Sequence, residues 1–420
     1  MKRKPERVVL VGMGEKYSPD GGLNEHDRLG ELKLLAETAD VAVVGTLVQP
    51  RSEISPRYYI GSGKAAELRE LVESLGATTV IFDNDLAPAQ VRNLEKLLGV
   101  KIIDRSGLIL DIFAIRARTR EAKIQVELAQ LRHILPRLTR QWIHLSRQVG
   151  GIGVRGPGET QLEVDRRRVR DRIGHLAQKL KLIEKRGETS RRNRRNAFTV
   201  SLIGYTNSGK STLFNALSRA CAPVEDKLFK TLDTMSRRIS LDFTPEIILS
   251  DTVGFIRDLP HELIASFYST LTDVQNADLL LHIIDITNPG WKDQRDVVEQ
   301  VLSEINAGNV KMLTVFNKID RVGDRTLIKA LSTRFPNALF VSARFNEGIG
   351  KLKEAITRAA LREKVRVTID IDPENSALLR EIYRHGTILD TESRVHSLRL
   401  TCALPVAVAH RLGLNGQTGR

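Results

Sequence analysis

The first hundred residues alternate short apolar runs with amphipathic stretches. Short apolar runs bounded by turn residues are typical of buried strands. We predict parallel strands at residues 8–11, 41–44, 79–82 and 100–103, with helices between them at residues 31–38, 63–74 and 87–98. Strands that alternate with helices indicate a parallel sheet. We therefore assign residues 1–112 to an N-terminal α/β domain.

A heptad pattern follows, with apolar residues spaced alternately four and three apart, as in helices that pack along a seam. In the first segment these residues are Ile124, Leu128, Leu131, Leu135, Leu138, Trp142, Leu145 and Val149. In the second they are Leu162, Val169, Ile173, Leu176, Leu180 and Ile183. Pro136 is expected to kink the first helix. The pattern predicts an antiparallel helical hairpin over residues 113–190, followed by a linker at 191–197.

The predicted tip of this hairpin, residues 150–160, is rich in glycine. Backbone without side chains can approach RNA closely, and Arg155 could lie in a phosphate groove or stack on a base. A plain flexible turn is the alternative interpretation. Thr160 and Glu163 have the spacing of a capping box that opens the second helix.

Beyond the linker, further apolar runs predict a second α/β domain over residues 198–365. Strands are expected at residues 198–203, 247–254, 312–316 and 338–341, and helices at 212–219 and 349–361. The tail, residues 366–420, predicts a small α+β module with strands at 365–371, 386–389 and 396–403 and a helix at 375–383. The sequence does not disclose the role of this module.

Composition supports a cytoplasmic protein of about three domains. The chain has 420 residues, 41% of them hydrophobic, which suffices for real cores. Its two cysteines, Cys221 and Cys402, show no metal-ligand spacing and fit a reducing compartment. Apolar stretches long enough for a signal peptide or a membrane span are not found, so no integral membrane association is expected. We expect a monomer.

The excess positive charge is confined to one segment. Residues 116–196 contain 22 Lys and Arg and 8 Asp and Glu. The difference, +14, equals the net charge of the whole chain. Solvated helices usually alternate charges, so this surplus indicates a polyanionic partner. We favour nucleic acid over the two alternatives, peripheral contact with an anionic membrane face and mere solubility.

A phosphate-binding loop follows the strand at residues 198–203. It has the pattern G-x-x-x-x-G-K-S and leads into a predicted helix, the required context. The predicted binding residues are Gly204, Tyr205, Thr206, Asn207, Ser208, Gly209, Lys210, Ser211 and Thr212. Backbone N–H groups can meet the α- and β-phosphates, Lys210 the β- and γ-phosphates, and the Ser211 hydroxyl Mg²⁺.

The partners of such a loop occur in order downstream. Asp251 is expected to hold Mg²⁺ through water, and the N–H of Gly254 to meet the γ-phosphate, with Thr252 and Val253 between them. Thr231 is the favoured switch residue and Mg²⁺ ligand, and Phe229, two positions before it, is a further predicted nucleotide-binding residue. Thr234 is a competing candidate, and a solvated turn is the alternative for both. Lys210, Thr231 and Gly254 are the predicted catalytic residues.

Guanine specificity is predicted from two further motifs. Asp320 of Asn317-Lys318-Ile319-Asp320 can accept from the N1–H and amine of guanine, and adenine would leave this carboxylate unpaired. The backbone of Ser342-Ala343-Arg344 can support the guanine O6. The expected nucleotides are GTP and GDP.

Two positions depart from Ras-like enzymes. Phe255 follows Gly254, where those enzymes place a glutamine that orients the attacking water. Intrinsic hydrolysis is therefore expected to be slow until a partner orders the switches or supplies the missing group. Asn207 is a candidate ligand for K⁺, with a turn-stabilising asparagine as the alternative.

The chain resembles the HflX family of ribosome-associated GTPases over nearly its full length. The resemblance rests on Tyr59-Ile60-Gly61-Ser62-Gly63-Lys64, on Gln125-Val126-Glu127-Leu128-Ala129-Gln130-Leu131-Arg132-His133, on Gly156-Pro157-Gly158-Glu159-Thr160-Gln161-Leu162-Glu163 and on Asp251-Thr252-Val253-Gly254-Phe255. It implies a factor that binds the large ribosomal subunit and its rRNA through residues 116–196 and splits stalled ribosomes under stress, with GTP governing its residence. Residues 61–64 lack the first glycine of a phosphate loop, so the ATP-dependent activity associated with some members is not expected here.

Three rival functions remain open. The first is a GTPase acting in large-subunit assembly, which association with immature subunits would distinguish. A purely RNA-binding protein whose fold GTP stabilises is the second, and ribosome-stimulated turnover would reject it. A small-molecule phosphotransferase is the third, disfavoured by Asp320.

Overall fold

The structure is a computed structural model, and it describes a defined part of the chain. The described residues are 5–13, 25–50, 54–138, 161–192, 197–218, 228–229, 235–239, 241, 247–258, 268–362, 364–372, 376–393, 397–405, 409, 412 and 414. The glycine-rich tip, Thr231, Thr234 and residues 193–196 of the linker lie outside this part.

The N-terminal domain is built on a four-stranded parallel sheet of order β2-β1-β3-β4. Its elements are β1 (Arg7–Met13), α1 (Glu25–Thr38), β2 (Ala42–Gln49), α2 (Ser62–Leu75), β3 (Thr79–Phe82), α3 (Pro88–Leu98), β4 (Lys101–Ile103) and α4 (Arg105–Arg116). Val8 and Leu10 pack with α1 and α4, while Val9 and Val11 pack with α2 and α3. Helices therefore cover both faces of the sheet. Because both faces of each strand are buried, the strand sequences are continuous apolar runs.

Helix α4 was not predicted, and the predicted boundary between residues 112 and 113 falls inside it. The Asp104 carboxylate caps its first turn by accepting from the N–H of Gly107 at 2.9 Å. Residues 117–119 then lead into α5 (Arg120–Ile134), which Thr119 caps by accepting from the N–H of Ala122 at 3.1 Å.

The helical hairpin forms from α5 and α6 (Gln161–Arg192). Ile124 and Leu128 of α5 pack against Leu176 and Leu180 of α6, with Leu131, Ile173 and Ile183 beside them. The heptad prediction is confirmed at these positions. Helix α5 ends just before Pro136, and a 3₁₀ turn, Leu135–Leu138, takes its place. Proline lacks the N–H that would continue the α-helical ladder.

The second α/β domain has a six-stranded sheet of order β10-β9-β8-β5-β7-β6, in which only the edge strand β6 is antiparallel. Its elements are β5 (Phe198–Gly204), α7 (Lys210–Ser218), β6 (Met235–Ile239), β7 (Ile247–Asp251), α8 (Tyr268–Gln275), β8 (Leu279–Asp285), α9 (Trp291–Glu304), β9 (Met312–Asn317), α10 (Arg325–Arg334), β10 (Leu339–Phe340) and α11 (Ile349–Arg362). Helices α7 and α11 cover one face, and α8 and α9 cover the other.

The C-terminal module contains β11 (Lys364–Ile371), α12 (Ser376–His385), β12 (Thr387–Ser393) and β13 (Leu398–Pro405). The strands form an antiparallel sheet of order β11-β13-β12. Alternate side chains of β11 and β13 form a small core with Ile382 of α12. In the described part of the chain, no helix combines the length and the apolar character needed to cross a membrane.

Candidate nucleotide-binding site

The phosphate-binding loop joins the carboxyl end of β5 to the first turn of α7. Gly204 and Gly209 have φ values of 150° and 93°, and Asn207 has a φ of 59°. A Cβ at Gly204 would lie 2.3 Å from the Ile283 carbonyl oxygen, and one at Gly209 would lie 2.2 Å from Asn317 Nδ2. Glycine is required at both positions, because the loop packs closely against Ile283 of β8 and Asn317 of β9 and because both residues have a positive φ.

Lysine and asparagine side chains hold the carbonyl groups of this loop. Lys210 Nζ donates to the carbonyls of Gly204 at 3.0 Å and Tyr205 at 2.7 Å. Lys318 Nζ donates to the carbonyl of Asn207 at 2.8 Å, and Asn317 Nδ2 donates to that of Ser208 at 2.9 Å. With its carbonyls engaged in this way, the loop is pre-shaped to present N–H groups to an anion.

Lys210 is buried, and its electrostatics suit a phosphate ligand. Burial lowers the pKa of Lys210 to about 8, and the nearby Asp251 carboxylate opposes part of that shift. A phosphate group beside the ammonium would favour its charged form. Nucleotide binding is therefore coupled to protonation of this lysine.

Two of the three residues predicted to hold Mg²⁺, Ser211 and Asp251, meet at the start of α7. Ser211 Oγ donates to Asp251 Oδ2 at 2.7 Å, and Asp251 is buried at the end of β7. Hydroxyl and carboxylate oxygens are the hard ligands that Mg²⁺ prefers, and the ion usually completes its shell with water and substrate phosphates. Ser211 and Asp251 are therefore the described residues that could contribute to a Mg²⁺ site.

The segment after Asp251 runs directly beside the loop. A Cβ at Gly254 would lie 2.9 Å from Lys210 Nζ and 3.0 Å from the Thr206 Cα, so glycine permits this close approach. Thr252 does not direct its hydroxyl to the loop, because its Oγ1 donates to the Leu202 carbonyl at 2.6 Å. The Val253 side chain packs against the core. Any part that these two residues take in binding must therefore come from their backbone.

Phe255 joins this segment to the loop through its backbone. The N–H of Thr206 donates to the Phe255 carbonyl at 2.7 Å, and the N–H of Phe255 donates to the Gly204 carbonyl at 3.1 Å. The phenyl ring is buried in the core that also contains Phe229 and Ile256.

The guanine motifs assemble at the ends of β9 and β10. Asn317 Oδ1 accepts from the N–H of Ala343 at 3.1 Å, which ties the two motifs together. Ser342 Oγ donates to Asp320 Oδ1 at 2.6 Å and so orients the carboxylate that is predicted to read the base. The Arg344 guanidinium lies 5.6 Å from the ring centre of Phe345. The structure therefore brings Asn317, Lys318, Asp320, Ser342 and Ala343 together.

A charged network that sequence reasoning missed joins this site to the N-terminal domain. The Tyr205 hydroxyl donates to Glu31 Oε1 at 2.6 Å, and Arg257 Nε donates to Glu31 Oε2 at 2.8 Å. Asp83 accepts from Arg257 Nη2 at 3.0 Å and from Arg105 Nη1 at 2.6 Å. Burial and the neighbouring Glu31 charge raise the pKa of Tyr205, so its hydroxyl remains a donor.

Residues that flank the predicted switch threonine also contact the N-terminal domain. The N–H of Leu228 donates to Thr38 Oγ1 at 3.3 Å, and the rings of Phe229 and Phe113 pack edge to face with centres 4.6 Å apart. Phe229, predicted to bind nucleotide, thus directs its ring into the core rather than outward.

The basic surface predicted for the hairpin is present on α6. Arg167, Arg168, Arg170 and Arg172 are exposed. Two acidic residues neutralise part of this charge: Asp165 lies 3.7 Å from Arg168, and Glu127 of α5 lies 2.7 Å from Arg172.

Family comparisons cover most of the chain. The family described as GTP-binding GTPase N-terminal matches residues 26–114, GTP-binding GTPase Middle Region matches 116–194, and 50S ribosome-binding GTPase matches 199–318. GTPase HflX of Escherichia coli (strain K12) is 46% identical over 382 residues, which are 90% of this chain and 88% of the relative. GTPase HflX of Caldanaerobacter subterraneus subsp. tengcongensis is 42% identical over 414 residues, 98% of this chain and 94% of the relative.

Among solved structures, the complex of SsGBP with GDP has a TM-score of 0.47 and 26% identity, and the match covers 85% of this chain and 99% of that one.

Proposed function

Because the chain belongs to the HflX family of GTPases, we propose that it binds the large ribosomal subunit in the cytoplasm and separates the subunits of stalled ribosomes under stress. The family and the phosphate-loop fold make the chain a GTP-hydrolysing enzyme. The proposal concerns what that hydrolysis controls, which is the time the protein spends on the ribosome.

Different residues bind the base and the phosphates of GTP. Asp320 reads the base, and the loop from Gly204 to Gly209 holds the phosphates together with Lys210. Ser211 and Thr231 would bind Mg²⁺ directly and Asp251 would hold it through water, and the ion would neutralise charge on the phosphates. Ser342 already holds Asp320, Asp251 holds Ser211, and loop carbonyls hold Lys210. Little reorganisation of these described side chains is therefore needed for binding.

Hydrolysis by the isolated protein is expected to be slow. Phe255 can neither donate nor accept the hydrogen bond that orients a water molecule, and its ring is buried in the core. Activation must come from a partner that orders the switch segments or supplies a group. Activation of this kind accelerates GTPases by roughly 10³–10⁵-fold.

A monovalent cation is a further expected contributor. Asn207 has a left-handed backbone that Lys318 holds through the Asn207 carbonyl, and the residue is exposed at the mouth of the loop. An amide oxygen is a suitable K⁺ ligand, and the ion would supply positive charge near the transferred phosphate. Faster turnover in K⁺ than in Na⁺ would support this role, and equal rates would remove it.

The observation that carries the ribosome proposal is the basic arm. The segment 116–196 holds the whole surplus charge of the protein, and α6 exposes several of its arginines. A basic helical hairpin is complementary to the phosphate backbone of rRNA, because each neutralised phosphate releases bound counterions and so favours binding. The tip at residues 150–160 is proposed to reach the peptidyl-transferase region.

The test measures GTP turnover with and without purified large subunits, and subunit separation by light scattering. We expect large subunits to raise GTP turnover by orders of magnitude. We also expect a GTP-dependent decrease in light scattering as the ribosomal subunits separate. Equal turnover with and without subunits would overturn the proposal. Binding to immature particles alone would point instead to a role in assembly.

A charge-reversal variant tests the arm itself. Changing Arg167, Arg168 and Arg170 to Glu is expected to weaken subunit binding and to flatten its log–log salt dependence by roughly 0.7–0.9 per lost contact. The control changes Arg325, Lys329 and Lys351, which are exposed on the GTPase domain, to Glu. Equal losses in the two variants would show that only net charge matters.

A further inference from the structure

An acidic residue outside all the predicted motifs lies beside the guanine-binding segment. Asp285 is the last residue of β8, and it is in register with Asn317, the last residue of β9. Parallel neighbours present their carboxyl ends at the same edge of a sheet, which here is the edge that carries the phosphate loop.

Both oxygens of the Asp285 carboxylate have defined partners. Oδ1 accepts from the backbone N–H of Thr287 at 3.0 Å and from the Thr287 hydroxyl at 2.7 Å. Oδ2 lies 2.7 Å from Lys318 Nζ. The turn after β8 therefore holds the carboxylate in one orientation, with its second oxygen aimed at the lysine.

Lys318 receives its position from this contact. Its backbone is left-handed, with a φ of 65°, and turns the side chain back toward the phosphate loop. There the ammonium lies between Asp285 and the carbonyl of Asn207, which it bonds at 2.8 Å. The side chains of Lys318 and Asp285 are only 16% and 15% exposed, so water screens the pair weakly.

The carboxylate also offsets a repulsion within the site. Lys210 Nζ donates to the carbonyls of Gly204 and Tyr205, and Lys318 Nζ donates to that of Asn207, so two ammonium groups lie against the same short loop and repel each other. A negative charge 2.7 Å from Lys318 reduces that repulsion. Without it, two cations would face the loop with one fewer counter-charge before any phosphate is bound.

We propose that Asp285 is a positioning residue of the nucleotide site. It holds the Lys318 ammonium against the Asn207 carbonyl and thereby fixes the base-binding segment and the phosphate loop in the relative arrangement that GTP and GDP both need. The proposal concerns guanine-nucleotide binding by this family of GTPases and is independent of ribosome binding.

The first test replaces Asp285 with Asn in the full chain and measures GTP and GDP affinity by titration calorimetry. Hydrogen bonds to charged groups have magnitudes that correspond to a loss of about 10- to 100-fold. Because Asp285 acts on the base and the loop, both nucleotides should lose affinity by the same factor. An unchanged affinity, or a loss confined to GTP, would overturn the proposal.

A matched control lies at the other end of the same strand. Asp278 immediately precedes β8 and accepts from the N–H and hydroxyl of Thr199 at 2.7 and 2.8 Å, an arrangement like that of Asp285 with Thr287. It touches none of the nucleotide motifs. Asp278→Asn should leave both affinities within about twofold of the parent, and an equal loss would assign the effect of Asp285→Asn to general loosening of the sheet.

A double-mutant cycle separates positioning from a structural role. If Asp285 acts through Lys318, Asp285→Asn should cost nothing more once Lys318→Met has removed the ammonium. Additive losses would refute this route. Should Asp285→Asn fail to fold, Thr287→Val keeps the charge and removes the hydroxyl that orients it. That variant should weaken both nucleotides equally by a few-fold, and no change in affinity would reject the proposal.

Discussion

Replacing Glu31 with Gln tests whether the two α/β domains are held together by charge. The Glu31 carboxylate is the meeting point of three donors: the Tyr205 hydroxyl at 2.6 Å, Arg105 Nη2 at 2.7 Å and Arg257 Nε at 2.8 Å. The Arg105 side chain is 1% exposed and that of Arg257 is 11% exposed. In the variant both guanidinium groups would share the single charge of Asp83.

The magnitude follows from that burial. Removing one partner of a buried ion pair costs about 3–5 kcal/mol, because the remaining charge stays desolvated. The 16% exposure of the Glu31 side chain places the expected cost at the lower end, about 3 kcal/mol. Gln also brings an NH₂ group into a site whose neighbours are donors, so the lost bonds are not replaced.

Urea unfolding followed by circular dichroism provides the measurement. A chain of several domains need not unfold in one transition, so the comparison uses the first transition. Glu37→Gln on the same helix is the control, since Glu37 is exposed. A second variant, Glu31→Gln with Arg257→Gln, restores charge balance. It should be less destabilised than the sum of its single changes by about 1–3 kcal/mol. Additive effects, or a Glu31→Gln variant as stable as Glu37→Gln, would refute the reasoning.

Three further predictions concern the nucleotide. Asp320→Asn should shift preference from GTP toward XTP, because an amide can donate to the second carbonyl of xanthine, and competition binding with an unchanged preference would contradict the assignment. GDP affinity should be steady below pH 8 and fall by up to about tenfold per pH unit above it. The reason is that binding needs charged Lys210, whose pKa in the free protein is about 8 and rises beside phosphate. Titration calorimetry that finds equal affinity at pH 7 and pH 9.5 would argue against this coupling. Phe255→Gln should not speed turnover by the isolated protein and should destabilise it by about 1–3 kcal/mol, because the ring site is apolar; a faster enzyme would contradict this.

Features that depend on residues close together in the chain could be predicted from the sequence. The phosphate loop needs its glycines and lysine at fixed spacings, because the backbone itself forms the cradle, and Gly204 and Gly209 indeed occupy positions that tolerate no Cβ. The heptad seam is equally local, and Ile124, Leu128, Leu176 and Leu180 meet as their spacing indicated. In both cases the pattern reflects a backbone conformation set by residues close together in the chain, an irregular turn in the loop and a periodic helix in the seam.

The network around Glu31 could not be predicted in this way. Glu31 and Arg257 are 226 positions apart, and each lies in a stretch where a charged residue is compatible with solvent. Their pairing depends on how two domains dock, and no local spacing encodes that. The contact between Asp285 and Lys318 could not be predicted for a similar reason, because it depends on the register of β8 against β9.

Phe255 shows how a motif-based interpretation can be correct and still incomplete. The sequence comparison with Ras-like enzymes emphasised the hydrogen bond that a phenyl ring cannot make. The structure adds a reason for an apolar residue, because the ring is 3% exposed and shares a core with Phe229 and Phe113, the latter in α4 of the N-terminal domain. Its backbone meanwhile bridges Gly204 and Thr206. The side chain that would orient water is thus replaced by a phenyl ring buried in a core to which both domains contribute residues. Slow intrinsic hydrolysis is therefore expected, because this position carries a buried apolar ring in place of a hydrogen-bonding group.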